Sequence, residues 1–273
     1  MTLTSQTHIL VHGHRGARAL RPENTLPAFE YAIGQGVDVL ELDMAVTRDN
    51  VVVISHDPHM NRSICQGPEG GETAIHKLTF LQVRQWDCGA LQHPSFPKQQ
   101  PVPGTKMPTL EEVFDFAAAS LVQFNIETKI DPQTPDLAPD PATFAKLVVD
   151  LVRKHGMERR VIVQSFDFRT LKEVRKLAPK LRLSALYSGP PKSFVAIAQE
   201  AGSEGKAVEI VSPQFTLATN EAVQAAHRAG IQVVPWTANS PGQWRMLVNA
   251  QVDAIISDDP AELIVWLKAA GLR

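Results

Sequence analysis

Residues 37–43 read Val-Asp-Val-Leu-Glu-Leu-Asp, and the alternation within this stretch governs the reading of the whole chain. In an extended strand successive side chains point to opposite faces, so Val39, Glu41 and Asp43 share one face and Leu40 and Leu42 the other. The leucines are expected to pack against helices, which turns two carboxylates inward at the downstream end of the strand. Comparable short, apolar, β-branched runs recur at residues 8–12, 123–127, 161–165, 181–186, 208–211, 231–236 and 253–257. Helical patterns lie between them: Phe144, Leu147, Val148, Leu151 and Val152 fall on one face at 3.6-residue spacing. Thr109 with Glu112 has capping-box spacing. Gly156 and Gly230 follow helical runs where a left-handed residue ends a helix, and Asp258-Asp259-Pro260 reads as a capped start. Parallel neighbours need crossover helices, so eight such units predict a parallel sheet. Eight strands close a barrel, although an open doubly wound sheet shares the count.

The chain has 273 residues, 44% hydrophobic and 21% charged, an ordinary globular composition that excludes wholesale disorder. Its length suits one α/β barrel of about 250 residues as well as two smaller domains. No apolar run reaches the roughly 18 residues that would mark a membrane span. A net charge of −2 gives no general attraction to nucleic acid or anionic lipid, so any anion chemistry must be local. The first sixteen residues lack the cationic start and apolar stretch of a signal peptide. Cys65 and Cys88 are the only cysteines and are read as unpaired thiols in a reducing compartment, which makes the expected location cytoplasmic.

One stretch breaks the rhythm. Between the strand-like residues 51–54 and Met107 the chain carries few long apolar stretches, and Pro94, Pro97, Pro101, Pro103 and Pro108 fall in its second half. So much proline cannot sit in a helix interior or a central strand. Residues 58–107 are therefore expected to be an insertion at the barrel mouth, within a single domain spanning 1–273, with a short helix after Thr79-x-x-Gln82. Residues 131–141 form a second proline-rich loop.

The chemistry-bearing residues lie at the ends of the early strands. Asn125, Glu127 and Lys129 share a face, as do His12 and His14, with Arg15 just beyond. Active sites of α/β barrels occupy the carboxyl-terminal rim, where charged strand-end residues read as catalytic. Glu41, Asp43 and Glu127 supply the oxygen ligands that hard divalent cations such as Mg²⁺ or Ca²⁺ prefer; no cysteine cluster or paired histidine motif points to zinc. Three carboxylates against Arg15 and Lys129 leave one net negative charge, and a divalent ion reverses the sign, so the loaded site would attract a phosphoryl group. His14 and His56, the latter in Ser55-His56-Asp57, titrate near neutrality and suit acid–base work on both sides of such a group. Each inward acid taken singly also fits a structural ion pair. His12 is read as a core or supporting histidine, and the remaining six histidines as solvated. Phe166 and Trp236 are read either as core or as an aromatic wall for the leaving group.

His14-Arg15-Gly16-Ala17, Pro22-Glu23-Asn24-Thr25, Glu41-Leu42-Asp43, His56-Asp57, Asn125-Ile126-Glu127-Thr128-Lys129, Gln164-Ser165-Phe166 and Trp236-Thr237 occur in that order. In these motifs the sequence resembles the glycerophosphodiester phosphodiesterase family, from about His12 to the last helix. The resemblance implies a (β/α)8 TIM barrel with an insertion between the second and third βα units. It implies a divalent metal on Glu41, Asp43 and Glu127, with His14 and His56 as the acid–base pair. Arg15 and Lys129 would hold the phosphate of a small-molecule glycerophosphodiester, hydrolysed to an alcohol and glycerol 3-phosphate. Thr128 and Asn50 depart from that family's usual residues. The competing expectation is a lysophospholipase D-like or phospholipase C-like lipid phosphodiesterase, for which Phe80, Leu81, Trp86, Leu91 and Phe96 of the insertion would provide an apolar surface.

Overall fold

The computed structural model describes residues 8–273; the amino-terminal reading over residues 1–7 lies outside them. The strands are β1 (Leu10–Gly13), β2 (Val39–Val46), β3 (Val52–Ile54), β4 (Gln123–Thr128), β5 (Val161–Ser165), β6 (Arg182–Tyr187), β7 (Ile210–Pro213), β8 (Gln232–Val233) and β9 (Ala254–Ser257). The helices are α1 (Leu26–Gln35), α2 (Phe80–Val83), α3 (Leu110–Phe116), α4 (Pro141–Lys154), α5 (Phe168–Leu177), α6 (Phe194–Ala201), α7 (Asn220–Arg228), α8 (Pro241–Asn249) and α9 (Pro260–Ala269).

Eight strands run parallel in the order β8-β7-β6-β5-β4-β2-β1-β9, and β3 folds back antiparallel on β2. The two ends of this order meet through backbone hydrogen bonds: Asp253 donates to the carbonyl of Val233, Ile256 to Pro235 and Ala238 to Ile256. The sheet is a nearly closed barrel, not an open doubly wound sheet. The seventh expected strand, residues 231–236, keeps regular pairing only over Gln232–Val233, because the backbone of 234–236 divides its hydrogen bonds between β7 and β9.

Every residue of β2 is buried. Leu40 and Leu42 join the shell between sheet and helices, while Ile162, Ile210, Val234, Ala254 and Ile256 fill the barrel's interior. Local chemistry agrees with the tertiary layout. Thr79 and Thr109 form reciprocal capping boxes with Gln82 and Glu112. Gly156 and Gly230 follow the ends of α4 and α7 with positive φ. Asn50 takes φ 61° in the turn after Asp49, a conformation that asparagine tolerates better than most residues. Thr128 is buried, its hydroxyl 2.9 Å from that of Thr170.

The segment between β3 and α3 has its own small core of Met60, Ile75, Leu78, Val83, Trp86 and Met107, packed on Ala45 and Val53. Within it Cys65 and Cys88 are joined as a disulfide, which corrects the expectation of free thiols. Backbone pairing brings them together: Gln66 and Asp87 exchange hydrogen bonds at 2.8 and 2.7 Å, placing the adjoining cysteines side by side. A separation of 23 residues carried no sign of that pairing. The bond also removes the thiol argument for a reducing compartment. Among the described residues no helix is long and apolar enough to cross a membrane.

Candidate functional site

The polar residues collect at the carboxyl ends of the strands. In the β2–β4 register Glu41 lies beside Asn125, and Asp43 beside Glu127. One oxygen from each of Glu41, Asp43 and Glu127 lies within 4.8 Å of the others, and all three residues are buried. Each is held from behind. Gln164 donates to Glu41 Oε1 at 2.8 Å and its own oxygen accepts from Asn125. The backbone N–H of Arg15 donates to Glu41 Oε2 at 3.0 Å. Asn24 donates to Asp43 Oδ2 at 2.9 Å, and Lys129 Nζ lies 2.9 Å from Glu127 Oε1.

The β1–α1 loop that delivers Arg15 is tightly wound. Arg15 and Asn24 have φ of 50° and 57°, and Gly16 has φ 84° where a Cβ would meet Ala28 at 2.8 Å. Only glycine fits there, which accounts for the Arg-Gly pair. Arg15 is buried, with Nε 3.1 Å from Asp43 and Nη1 2.7 Å from Glu23. Burial opposes its charge, yet Asp43, Glu23 and Glu41 hold the guanidinium firmly protonated.

Crowding sets the protonation of the acids. Asp43 is buried, but Arg15 and Lys129 hold it below the usual carboxylate range. Burial and its acidic neighbours push Glu41 well up, and burial together with Asp43 raises Glu127 to about 8 against the pull of Lys129. Such a cluster takes up protons or a cation. An all-oxygen donor set of this span, with its outer oxygens already engaged by Asn24, Gln164 and backbone, fits a hard divalent ion.

His14 lies beside the cluster, Nε2 3.9 Å from Glu41 Oε2, and burial holds its imidazole below the usual range although Asp258 pulls the other way. His56 lines the same cavity as His14, with Nδ1 2.9 Å from Asp57 Oδ1. That contact lowers Asp57 to about 2. His12 is sealed inside the barrel below the acids, lowered to about 3 by burial, and is a neutral core residue.

Two connected spaces adjoin these groups. A cavity of about 220 Å³ is bounded by His14, Arg15, the three acids and Trp236. It opens past His56, Lys129 and Phe166 into a trench of about 910 Å³ along the loops after β4, β5 and β6. Phe166 is half exposed and meets Trp236 edge to face at 5.5 Å, and the Trp236 indole donates to the carbonyl of Ser212. The pair forms a wall of the cavity.

Several partners carried no assigned role in the sequence reading. Glu23 ties Arg15 to Arg18, whose Nε lies 2.9 Å from Glu23 Oε2. Asp258 contacts His14, and Asn24 and Gln164 brace the acids. Glu23, Asn24 and Gln164 stood inside quoted motifs, but their spacing gave no partner. Arg18, Glu23 and Asp258 also make the local charge one unit more negative than the earlier count. His93 and His155 are largely buried rather than solvated; His93 packs against Arg18 and Glu23. The apolar surface expected from the 58–107 stretch is not formed. Trp86 and Phe80 serve that segment's own core, Phe96 lies beneath Arg18, and of the five side chains Leu81 alone is exposed.

A barrel rim that gathers buried acids, two histidines and paired cations has the kinds of group that chemistry on a phosphoryl group requires. Comparison with known proteins narrows that class. The model of the glycerophosphoryl diester phosphodiesterase family matches residues 14–262. A glycerophosphodiester phosphodiesterase of Caldanaerobacter subterraneus subsp. tengcongensis is 30% identical over 96% of this chain and 99% of its own. Another, from Bacillus subtilis, is 28% identical over 94% and 86%. The crystal structure of a Silicibacter pomeroyi protein superposes with a TM-score of 0.89 at 30% identity, over 97% of this chain and 95% of that one. The chain belongs to the glycerophosphoryl diester phosphodiesterase family, and its fold is that family's TIM barrel. The enzyme class expected from its sequence, glycerophosphodiester phosphodiesterase, is the one these relatives carry.

Proposed function

We propose that this protein hydrolyses glycerophosphodiesters to an alcohol and glycerol 3-phosphate, in a single domain that carries residues 58–107 as an insertion. The convergence of Glu41, Asp43 and Glu127 within 4.8 Å carries this reading. These three would hold a divalent ion, Mg²⁺ or Ca²⁺, which when bound supplies Lewis-acid stabilisation of a phosphoryl oxygen. Arg15 and Lys129 flank the acids and would hold the non-bridging oxygens as charge develops on them. The 220 Å³ cavity suits the glycerophosphoryl half and the 910 Å³ trench the alcohol. His14 borders only the cavity and would take the proton of the nucleophile. His56 borders both spaces and would donate to the departing alkoxide, with Asp57 accepting from its other nitrogen. Phe166 and Trp236 would form an aromatic wall of the substrate pocket beside the leaving group. The test is a head-group panel assayed with EDTA and after return of Mg²⁺, Ca²⁺ or Mn²⁺. Release of glycerol 3-phosphate that stops with chelator and resumes with metal is expected; a flat panel under every condition would refute the reading.

A further inference from the structure

Asp258 and Asp259 are adjacent acids with separate tasks. Asp259 caps α9, its Oδ1 accepting from the N–H of Glu262 at 3.0 Å. Asp258 turns the other way, into the rim, and is buried. Its Oδ1 lies 2.5 Å from Nδ1 of His14, and its Oδ2 accepts from the Asn239 amide at 2.7 Å. The Asn239 side-chain oxygen in turn accepts from the backbone N–H of Asp258 at 2.9 Å, so the carboxylate cannot rotate without breaking that pair. His14 and Asp258 are 244 residues apart, yet the β1–β9 register sets Gly13 beside Ser257, and the His14 N–H donates to the Ser257 carbonyl.

An ionised carboxylate only accepts hydrogen bonds, and a neutral imidazole has one N–H. Asp258 therefore selects the tautomer with the proton on Nδ1, leaving the Nε2 lone pair toward the acid-lined cavity. We infer that Asp258, steadied by Asn239, is the positioning residue that keeps His14 in the tautomer and ring orientation able to take a proton from the nucleophile. This rests on the role given to His14 above. In the step, the nucleophile's O–H bond breaks, its proton goes to Nε2, and the resulting imidazolium keeps its Nδ1–H on Asp258. A buried carboxylate behind a catalytic histidine acts in this way in serine proteases.

Asp258→Asn tests it, because the amide preserves shape while offering His14 a donor. With sn-glycero-3-phosphocholine and saturating divalent metal, Asp258→Asn and Asp258→Ala should each lower kcat by roughly 10²–10⁴-fold and leave KM within about threefold. Combining either with His14→Ala should cost little more than His14→Ala alone, since the residues act as a unit. Asp259→Asn should leave kcat near that of the native enzyme. Long-range ¹H–¹⁵N correlation spectra without added metal give a readout independent of turnover: His14 should be Nδ1-protonated in the native protein and Nε2-protonated in Asp258→Asn. Near-native kcat in a folded Asp258→Asn variant with an unchanged His14 tautomer overturns the inference, as does a loss confined to KM. If every diester proved inert while the spectra showed the expected switch, the function assigned above would fall and the positioning would stand.

Discussion

Replacing Glu127 by glutamine isolates the electrostatics of the acid cluster. At 4.8 Å, the upper limit on their separation, and an effective dielectric of about 20, an ionised pair repels by about 3.5 kcal/mol, and a closer pair by more. Arg15 and Lys129 compensate part of this and protons the rest; burial first, and repulsion from Asp43 after it, raise Glu127 to about 8. A folded carboxylate with a raised pKa binds protons more tightly than the unfolded chain does. This group therefore destabilises the metal-free fold progressively as pH climbs from its ordinary range toward about 8. A divalent ion must displace that proton, so the stability it adds should grow with pH over the same window. At one hundred times its dissociation constant, bound metal contributes about 2.7 kcal/mol. For a chain of this size that raises Tm by roughly 5–10 °C. The introduced amide resembles the protonated acid, so on the acid side of neutrality E127Q should melt within about 2 °C of the metal-free native protein, about 1 kcal/mol or less. It should gain little from metal. Calorimetric scans in EDTA and in excess Mg²⁺, Ca²⁺ or Mn²⁺, on both sides of neutrality, read all of this. A full metal-dependent gain in E127Q, or a native gain that shrinks as pH rises, would refute the reasoning.

The two histidines should separate by leaving group. His56→Ala is expected to lose roughly 10²–10⁴-fold in kcat on an alkyl-alcohol diester and far less on a nitrophenyl one, whose departure needs no proton, while His14→Ala loses equally on both; steady-state assays on the paired substrates decide it. Asp57, held at about 2 by His56 and Asn61, stabilises the fold above the ordinary carboxylate range and loses that contribution as pH falls toward 2. Because its side chain is 37% exposed, Asp57→Asn should cost only about 1 kcal/mol at neutral pH, converging with the native protein in strong acid, as urea titrations at several pH values would show. Reducing the Cys65–Cys88 bond, which spans 23 residues, should remove about 3 kcal/mol from the segment between β3 and α3; an unchanged melting curve with reductant, or in the double serine variant, would count against it.

What the sequence disclosed and what it withheld divide along the range of the interactions. Alternation in residues 37–43 and 123–129 is a local property of extended chain, so the inward set Glu41, Asp43, Glu127 and Lys129 was legible without any tertiary knowledge. Thr79 and Thr109 announced their helices for the same reason, since a capping box closes within four residues. The partners that make the site work close over long intervals instead. Gln164 reaches Glu41 across 123 residues and Asp258 reaches His14 across 244, distances at which spacing carries no information. The local signal of Asp258 pointed elsewhere: beside Pro260 it looks like part of a helix cap, a task that falls to Asp259 alone. The apolar residues of 58–107 misled for the converse reason. A phenylalanine or tryptophan in a loop reads as exposed surface until the loop is known to have a core, and here Trp86 lies inside one, beside the bond that joins Cys65 to Cys88. An acid at a strand end is thus a first approximation to a catalytic group. What decides its role is the buried polar group behind it, Gln164 for Glu41 and Asn24 for Asp43, and for His14 that group, Asp258, is found only once the barrel closes and brings β9 against β1.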